Sequence, residues 1–214
     1  MPKLIYKHLA AIRWFHWINF PLLAIMIWSG LLIYWAYPAY KLGPIHFPQS
    51  VFQALNMTQR LADGMALHFF SMWLFVINGL LYVAYTIVSG EWKLLVPTSR
   101  ATFRDAWYVA LCDLRVRKQR PPQGKYNAAQ QVSYSAIIVM GIGSVLTGLA
   151  IYKPAQLSWL AALFGGYPGA RLVHFILTIG YCVFFLVHVV QVVLAGWNNF
   201  RSMVIGYEVV QSNE

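Results

Sequence analysis

The sequence predicts an all-α integral membrane protein, a four-helix transmembrane bundle, and three observations carry that prediction. Of 214 residues, 59% are hydrophobic and only 10% charged, where a soluble domain carries roughly 25% charge. Four apolar stretches, at approximately 13–35, 62–88, 131–152 and 171–197, each reach the roughly 20 residues that a helix needs to cross hydrocarbon. The only acid within them is Asp63, at the start of the second. Backbone groups in lipid must be satisfied within the spanning structure, which helices achieve alone. A transmembrane β-barrel would show ten-residue dyad alternation, and none is present. We expect a single domain over 1–214, with 89–130 as its long loop.

The net charge of +10 is explained by topology, not by nucleic acid. An even number of spans puts both termini on one side. The termini and the 89–130 loop carry Lys3, Lys7, Arg13, Lys93, Arg100, Arg104, Arg115, Arg117, Lys118, Arg120, Lys125 and Arg201. The two opposite loops carry Lys41, Arg60, Lys153 and Arg171. Twelve against four is a positive-inside bias, which makes both termini cytoplasmic. The basic loop is then placed to meet anionic lipid headgroups.

In order along the chain, residues 1–12 read as a short amphipathic approach to the first span. Trp14 and Trp17 suit a headgroup-level aromatic belt. The first span is too long for a signal-peptide core and no A-x-A cleavage pattern follows it, so it is retained. The opposite loop at 36–61, with Tyr37, Pro38, Tyr40, Pro44, Phe47 and Pro48, reads as an ordered cap or docking surface. In the cytoplasmic loop, Phe103, Trp107, Ala110, Leu111 and Leu114 recur at helical spacing among basic residues. This predicts an interfacial amphipathic helix between Thr98 and Lys118, stopped before Pro121-Pro122. A polar strip from Gly124 to Gln131 then leads into the third span. The sequence shows no soluble domain, repeat or low-complexity tract. Cys112 and Cys182 form no C-x-x-C-H motif, which removes covalent c-type haem.

Four of the six histidines, His16, His68, His174 and His188, lie in the apolar stretches. A histidine in hydrocarbon is costly and marks a candidate functional site. His174 and His188 are fourteen residues apart in one helix, so they share a face at depths about 21 Å apart. Counting depth from the predicted ends matches His68 with His174 on the outer side and His16 with His188 on the inner side. Two imidazoles facing each other at one level are what bis-histidine haem ligation requires. Zinc would want three or four ligands at one depth, often with Cys or carboxylate. Ser29-Gly30, Gly79, Gly141, Gly143, Gly148 and Gly180 offer clearance for a macrocycle, although small residues also serve ordinary helix packing. Taken singly, His16 also suits an interfacial residue, and His68 and His174 lie close enough to helix ends to snorkel. His8 and His46 lie outside the spans and read as surface residues.

The pattern Arg13-x-x-His16-Trp17, His68, Gly124-Lys125-Tyr126-Asn127-Ala128-x-Gln130 and Arg171-x-x-His174 with His188 resembles the di-haem cytochrome b subunits of respiratory dehydrogenases. These are the membrane subunits of formate dehydrogenase, nickel–iron hydrogenase and thiosulfate reductase, and related bacterial cytochrome b561-type proteins. The resemblance covers nearly the whole chain, through Asn199-Phe200-Arg201-Ser202-Met203. It implies a multi-pass protein of the bacterial inner membrane with two b haems, His16 and His188 holding the cytoplasmic-side iron and His68 and His174 the periplasmic-side iron. It implies a quinone site, for ubiquinone or menaquinone, with Asn127 and Gln130 or Gln131, bordered by Trp92 and Lys93. It also implies a periplasmic oxidoreductase subunit of molybdenum or nickel–iron type, reached through an iron–sulfur or molybdenum subunit. Arg13 and Arg171 are placed either to balance haem propionates or to anchor at the interface, and Asn127 and Gln131 would alternatively only cap the third span.

Other readings keep part of this pattern. A stand-alone cytochrome b561 would exchange electrons between quinone and a small periplasmic substrate. A histidine-based proton or metal transporter would need Asp/Glu relays or an inverted repeat, which the acid-poor spans lack. A plain membrane anchor would leave the polar strip without a role.

Overall fold

The computed structural model describes residues 2–36, 49–122, 124 and 126–211. Four helices are long and apolar enough to cross a membrane: α1 (Ala10–Tyr34), α3 (Leu61–Val88), α6 (Ala128–Tyr152) and α8 (Gly166–Ala195). Shorter helices connect them: α2 (Gln49–Ala54), α4 (Trp92–Leu95), α5 (Arg100–Asp113), α7 (Ser158–Leu163) and α9 (Trp197–Ile205). A two-stranded ribbon, β1 (Pro2–Tyr6) with β2 (Tyr207–Gln211), joins the chain ends. Residues 37–48 of the predicted opposite loop, including Lys41, His46 and the aromatic and proline residues read as a cap, lie outside the described residues, as does Lys125. The chain folds as two compact units, Met1–Tyr82 with Val192–Glu214, and Val83–Gln191.

In the first unit, residues 2–6 form a strand and not the expected amphipathic approach. Their partner lies some two hundred positions away, with Pro2 opposite Gln211 and Tyr6 opposite Tyr207, so local pattern could not reveal it. The ribbon is closed by the Gly206 carbonyl, which accepts from Lys7 N at 2.8 Å. Gly206 takes φ +93° at the end of α9, and a Cβ there would sit 3.1 Å from the Tyr6 ring; only glycine suits that left-handed cap. The last carbonyls of α9 lack intrahelical donors. Arg13 Nη1 donates to Val204 O at 2.6 Å and Trp17 Nε1 to Met203 O at 3.0 Å. Arg13 is therefore held by α9. Lys7 adds contacts to Asn199 Oδ1 (2.8 Å) and Glu208 Oε1 (3.0 Å). Helices α1 and α3 meet closely at Gly64, where a Cβ would lie 2.9 Å from Leu32 Cβ and 3.1 Å from Ser29 O.

In the second unit, α5 is the predicted interfacial helix, shorter than the expected span. Ser99 caps it, accepting from Thr102 N at 3.3 Å. Phe103 and Trp107 are exposed on it while Val109 is buried, as suits a helix lying on a membrane surface. Its C-terminal end is tied down by Asp113. Arg120 Nη2 donates to Oδ1 at 2.7 Å, and Gln191 Nε2, on α8, donates to Oδ2 at 2.8 Å. Hydrogen bonds to a charged group contribute about 1.5–3 kcal/mol, here reduced because Arg120 is half exposed. Asp113→Ala should therefore raise amide hydrogen exchange across 99–120 while leaving α8 protected. Unchanged exchange in the loop would show that the clamp contributes nothing. Helix α6 begins three residues earlier than expected because Asn127 caps it, and α8 begins at Gly166 after a turn in which Gly165 and Gly166 have positive φ.

The two helical hairpins share a repeat that the linear reading missed. Ser29-Gly30-Leu31-Leu32-Ile33-Tyr34 ends α1, and Thr147-Gly148-Leu149-Ala150-Ile151-Tyr152 ends α6. Gly64-x-x-x-His68-Phe69 opens α3, and Ala170-x-x-x-His174-Phe175 opens α8. The connecting segments differ in length, so no single sequence offset aligns both halves.

Candidate functional site

All four intramembrane histidines are half-buried. In the first unit His68, near the start of α3, faces the end of α1. Its Nδ1 lies 3.0 Å from the Ser29 hydroxyl. That hydroxyl has one proton, which it gives to the backbone of its own helix, with Ile25 O at 2.7 Å and Met26 O at 3.2 Å. It therefore turns a lone pair to the imidazole. With Nδ1 as the protonated nitrogen in this arrangement, which also has the Met26 backbone as a hydrogen-bond partner of the ring, Nε2 is the nitrogen whose lone pair would bind a metal. Gly30 packs beside the same ring, where a Cβ would make an ordinary van der Waals contact of 3.5 Å with His68 Cε1.

The second unit repeats this arrangement. Thr147 Oγ1 donates to Gly143 O at 2.7 Å, with Ser144 O at 3.3 Å, and lies 2.8 Å from His174 Nδ1. Gly148 stands 3.5 Å from His174 Cε1 by the same measure. Ser29 and Thr147 are both fully buried, which makes each a water-free acceptor. A hydrogen bond from the non-ligating nitrogen of a metal-bound histidine fixes its tautomer and orientation. Sequence reasoning named Ser29 only for clearance and missed Thr147. The signal available was a hydroxyl residue directly before a glycine in both hairpins.

The other two histidines are placed differently. His16, one turn and a half into α1, sets its ring edge-on to Trp17 at 5.1 Å. His188 stacks on Phe184 at 5.8 Å with the rings nearly parallel, and Gln191, three residues on, holds the Asp113 clamp. Among the described residues no group of three or more His, Cys, Asp or Glu is placed to hold a metal ion. The donor set in the spans is thus imidazole nitrogens without a cluster of three or more ligands, which suits ligation of haem iron by histidine. Arg171 lies over the Tyr167 ring at 5.8 Å.

The polar strip before α6 has a defined local structure. Asn127 and Gln130 form a reciprocal capping box: Asn127 Oδ1 accepts from Gln130 N at 2.8 Å, and Gln130 Oε1 accepts from Asn127 N at 3.0 Å. The capping partner is Gln130, where the sequence suggested Gln131. Gln131 instead lines a cleft of about 240 Å³, with Leu94, Thr102, Asp105, Pro122 and Tyr126 among its other walls. Tyr126 packs edge-on against Tyr134 at 5.5 Å. Burial, and then the Glu91 carboxylate and Tyr85, push the Tyr126 phenol above its ordinary range, so it stays a protonated hydrogen-bond donor.

Residues 7–206 match the family described as prokaryotic cytochrome b561. The chain is also similar to the putative protein-methionine-sulfoxide reductase subunit YedZ1 of Azospira oryzae, with 34% identity over 197 residues, covering 91% of this chain and 94% of that one. The family's range of residues 7–206 spans all four apolar helices. The chain belongs to the prokaryotic cytochrome b561 family, membrane-spanning cytochromes of the b type that carry haem and transfer electrons.

Proposed function

We propose that this protein is a two-haem subunit that carries electrons across the bacterial inner membrane, from quinol on the cytoplasmic side to a periplasmic reductase. The observation that supports it best is the duplicated cradle, in which a fully buried hydroxyl lies within hydrogen-bond distance of an intramembrane histidine's Nδ1 in both hairpins. His68 and His174, matched in depth by sequence, would hold the outer haem, and His16 and His188 the inner one. Helix α8 contributes to both and sets the levels about 21 Å apart. Haem supplies one-electron iron chemistry when bound, and the protein tunes it through ligands, hydrogen bonds and burial.

On the cytoplasmic side, the strip before α6 and the adjacent cleft bind the quinone head group. With Oδ1 committed to the cap, Asn127 offers its amide NH2 to a quinone carbonyl. Gln131 and the protonated Tyr126 phenol add donors from the cleft wall. Quinol gives up two electrons and two protons, and the protons leave through the cleft, whose wall includes the Asp105 carboxylate. The similar protein is named as a subunit of a reductase acting on methionine sulfoxide in proteins, which supports a partner of that class. Reducing a sulfoxide to a thioether consumes two electrons and two protons and releases water, which matches the quinol couple.

Rapid mixing of the oxidised, haem-loaded protein with a short-chain quinol tests the quinone link. The haem bands should turn to the reduced spectrum within seconds, and Asn127→Ala should slow that at least about ten-fold, the order of one lost hydrogen bond to a charge-developing group. Haems that quinol leaves oxidised, or a rate indifferent to Asn127, would contradict the assignment.

A further inference from the structure

The repeat goes further than a shared helix ending. Ser29 lies five residues before the end of α1 and Thr147 five before the end of α6. Counting back thirteen positions from each hydroxyl gives His16 in the first hairpin and Tyr134 in the second. Counting on fourteen from each cradled histidine gives Tyr82 and His188. The repeat thus preserves the hydroxyl, the glycine and the histidine at one level only. At the other level it replaces histidine by tyrosine. Selection for helix packing alone would keep a small buried residue at 29 and 147. It would not keep an oxygen that is back-bonded to its own helix and turned to Nδ1 in both hairpins.

We propose that Ser29 and Thr147 are matched positioning residues that set the electron-donating strength of His68 and His174 and so lower the reduction potential of the outer haem. The inference rests on the two-haem reading above. A histidine that donates from Nδ1 to a buried acceptor has more imidazolate character at Nε2 and favours the oxidised iron. Two equivalent donors act on one iron from equivalent positions of the repeat, so their effects add. The hydroxyls fix the orientation of the two imidazole rings toward the position the haem iron would take.

The test is an optical redox titration of purified, haem-loaded protein, with haem content measured by the pyridine haemochrome spectrum. Ser29→Ala and Thr147→Val should each raise the potential of the same haem, the double variant should raise it further, and the second haem should not move. Ser29→Thr and Thr147→Ser, which keep the acceptor, should titrate as the parent protein does. If an alanine or valine variant does not accumulate, Ser29→Cys and Thr147→Cys, with a poor acceptor of similar size, should give the same upward shift. Unshifted potentials in the double variant with both haems retained would overturn the proposal, as would shifts in both haems alike. A parent protein without haem would instead strike the two-haem reading itself, so the two failures are distinguishable.

Discussion

Protein carrying His174→Ala will hold one haem in place of two, and protein carrying His188→Ala will likewise hold one, but the other one. Both histidines lie on α8, with His174 near its start and His188 fourteen residues later. Alanine in an apolar span removes a polar group and costs the helix nothing in hydrocarbon, since alanine is also the best helix former. The lost function is therefore ligation and not insertion. His68→Ala should reproduce the His174→Ala spectrum, and His16→Ala that of His188→Ala, because each pair serves one iron. Only the inner-haem variants should also blunt reduction by quinol. Loss of both haems from every single variant, in protein that still inserts and purifies as one species, would contradict independent pairs.

The second large effect needs no change to a ligand. Gly64→Val places branched carbon where a Cβ already sits 2.9 Å from Leu32 Cβ and 3.1 Å from the Ser29 carbonyl. Neither neighbour is the free end of a flexible chain. Leu32 is fully buried, and Ser29 is tied to its own helix and to His68. Overpacking of this kind costs about 1–3 kcal/mol, and relief requires α1 and α3 to separate. Separation pulls Ser29 away from His68 four residues further along α3. We expect lower thermal stability in detergent and selective loss of the haem that His68 holds, with Gly64→Ala milder in both respects. Gly64→Val protein with parental stability and full haem content would show that the close approach is not needed.

These expectations show which parts of the molecule were legible in the sequence. The four spans were, because each is a continuous apolar run longer than a bilayer core. The interfacial α5 was, because Phe103, Trp107 and Leu114 fall at helical spacing beside arginines. The location of four histidines inside the spans was, because each lies in a continuous apolar run. The β1–β2 ribbon was not legible, since its hydrogen bonds join opposite ends of the chain and five residues carry too little pattern. The cradle was half legible. Glycine before a span's end signals close approach, but which ring approaches it, and that Ser29 and Thr147 present a lone pair, depends on tertiary placement. The Asn127–Gln130 cap could have been read from the spacing alone, an Asn followed three residues later by Gln before an apolar run. The sequence suggests Asn127 both as a quinone contact and as a cap, but with Gln131 as the capping partner, whereas Gln130 closes the box and Gln131 lines the cleft.

The measurement that bears most directly on the central claim is the haem-to-protein ratio of the purified chain from haem-replete cells, taken together with its reduced-minus-oxidised spectrum. Two haems per chain, both of b type and both low-spin when reduced, are what paired imidazoles at two depths predict. A chain that purifies folded but without haem, or with one haem that survives both His68→Ala and His188→Ala, would contradict the account.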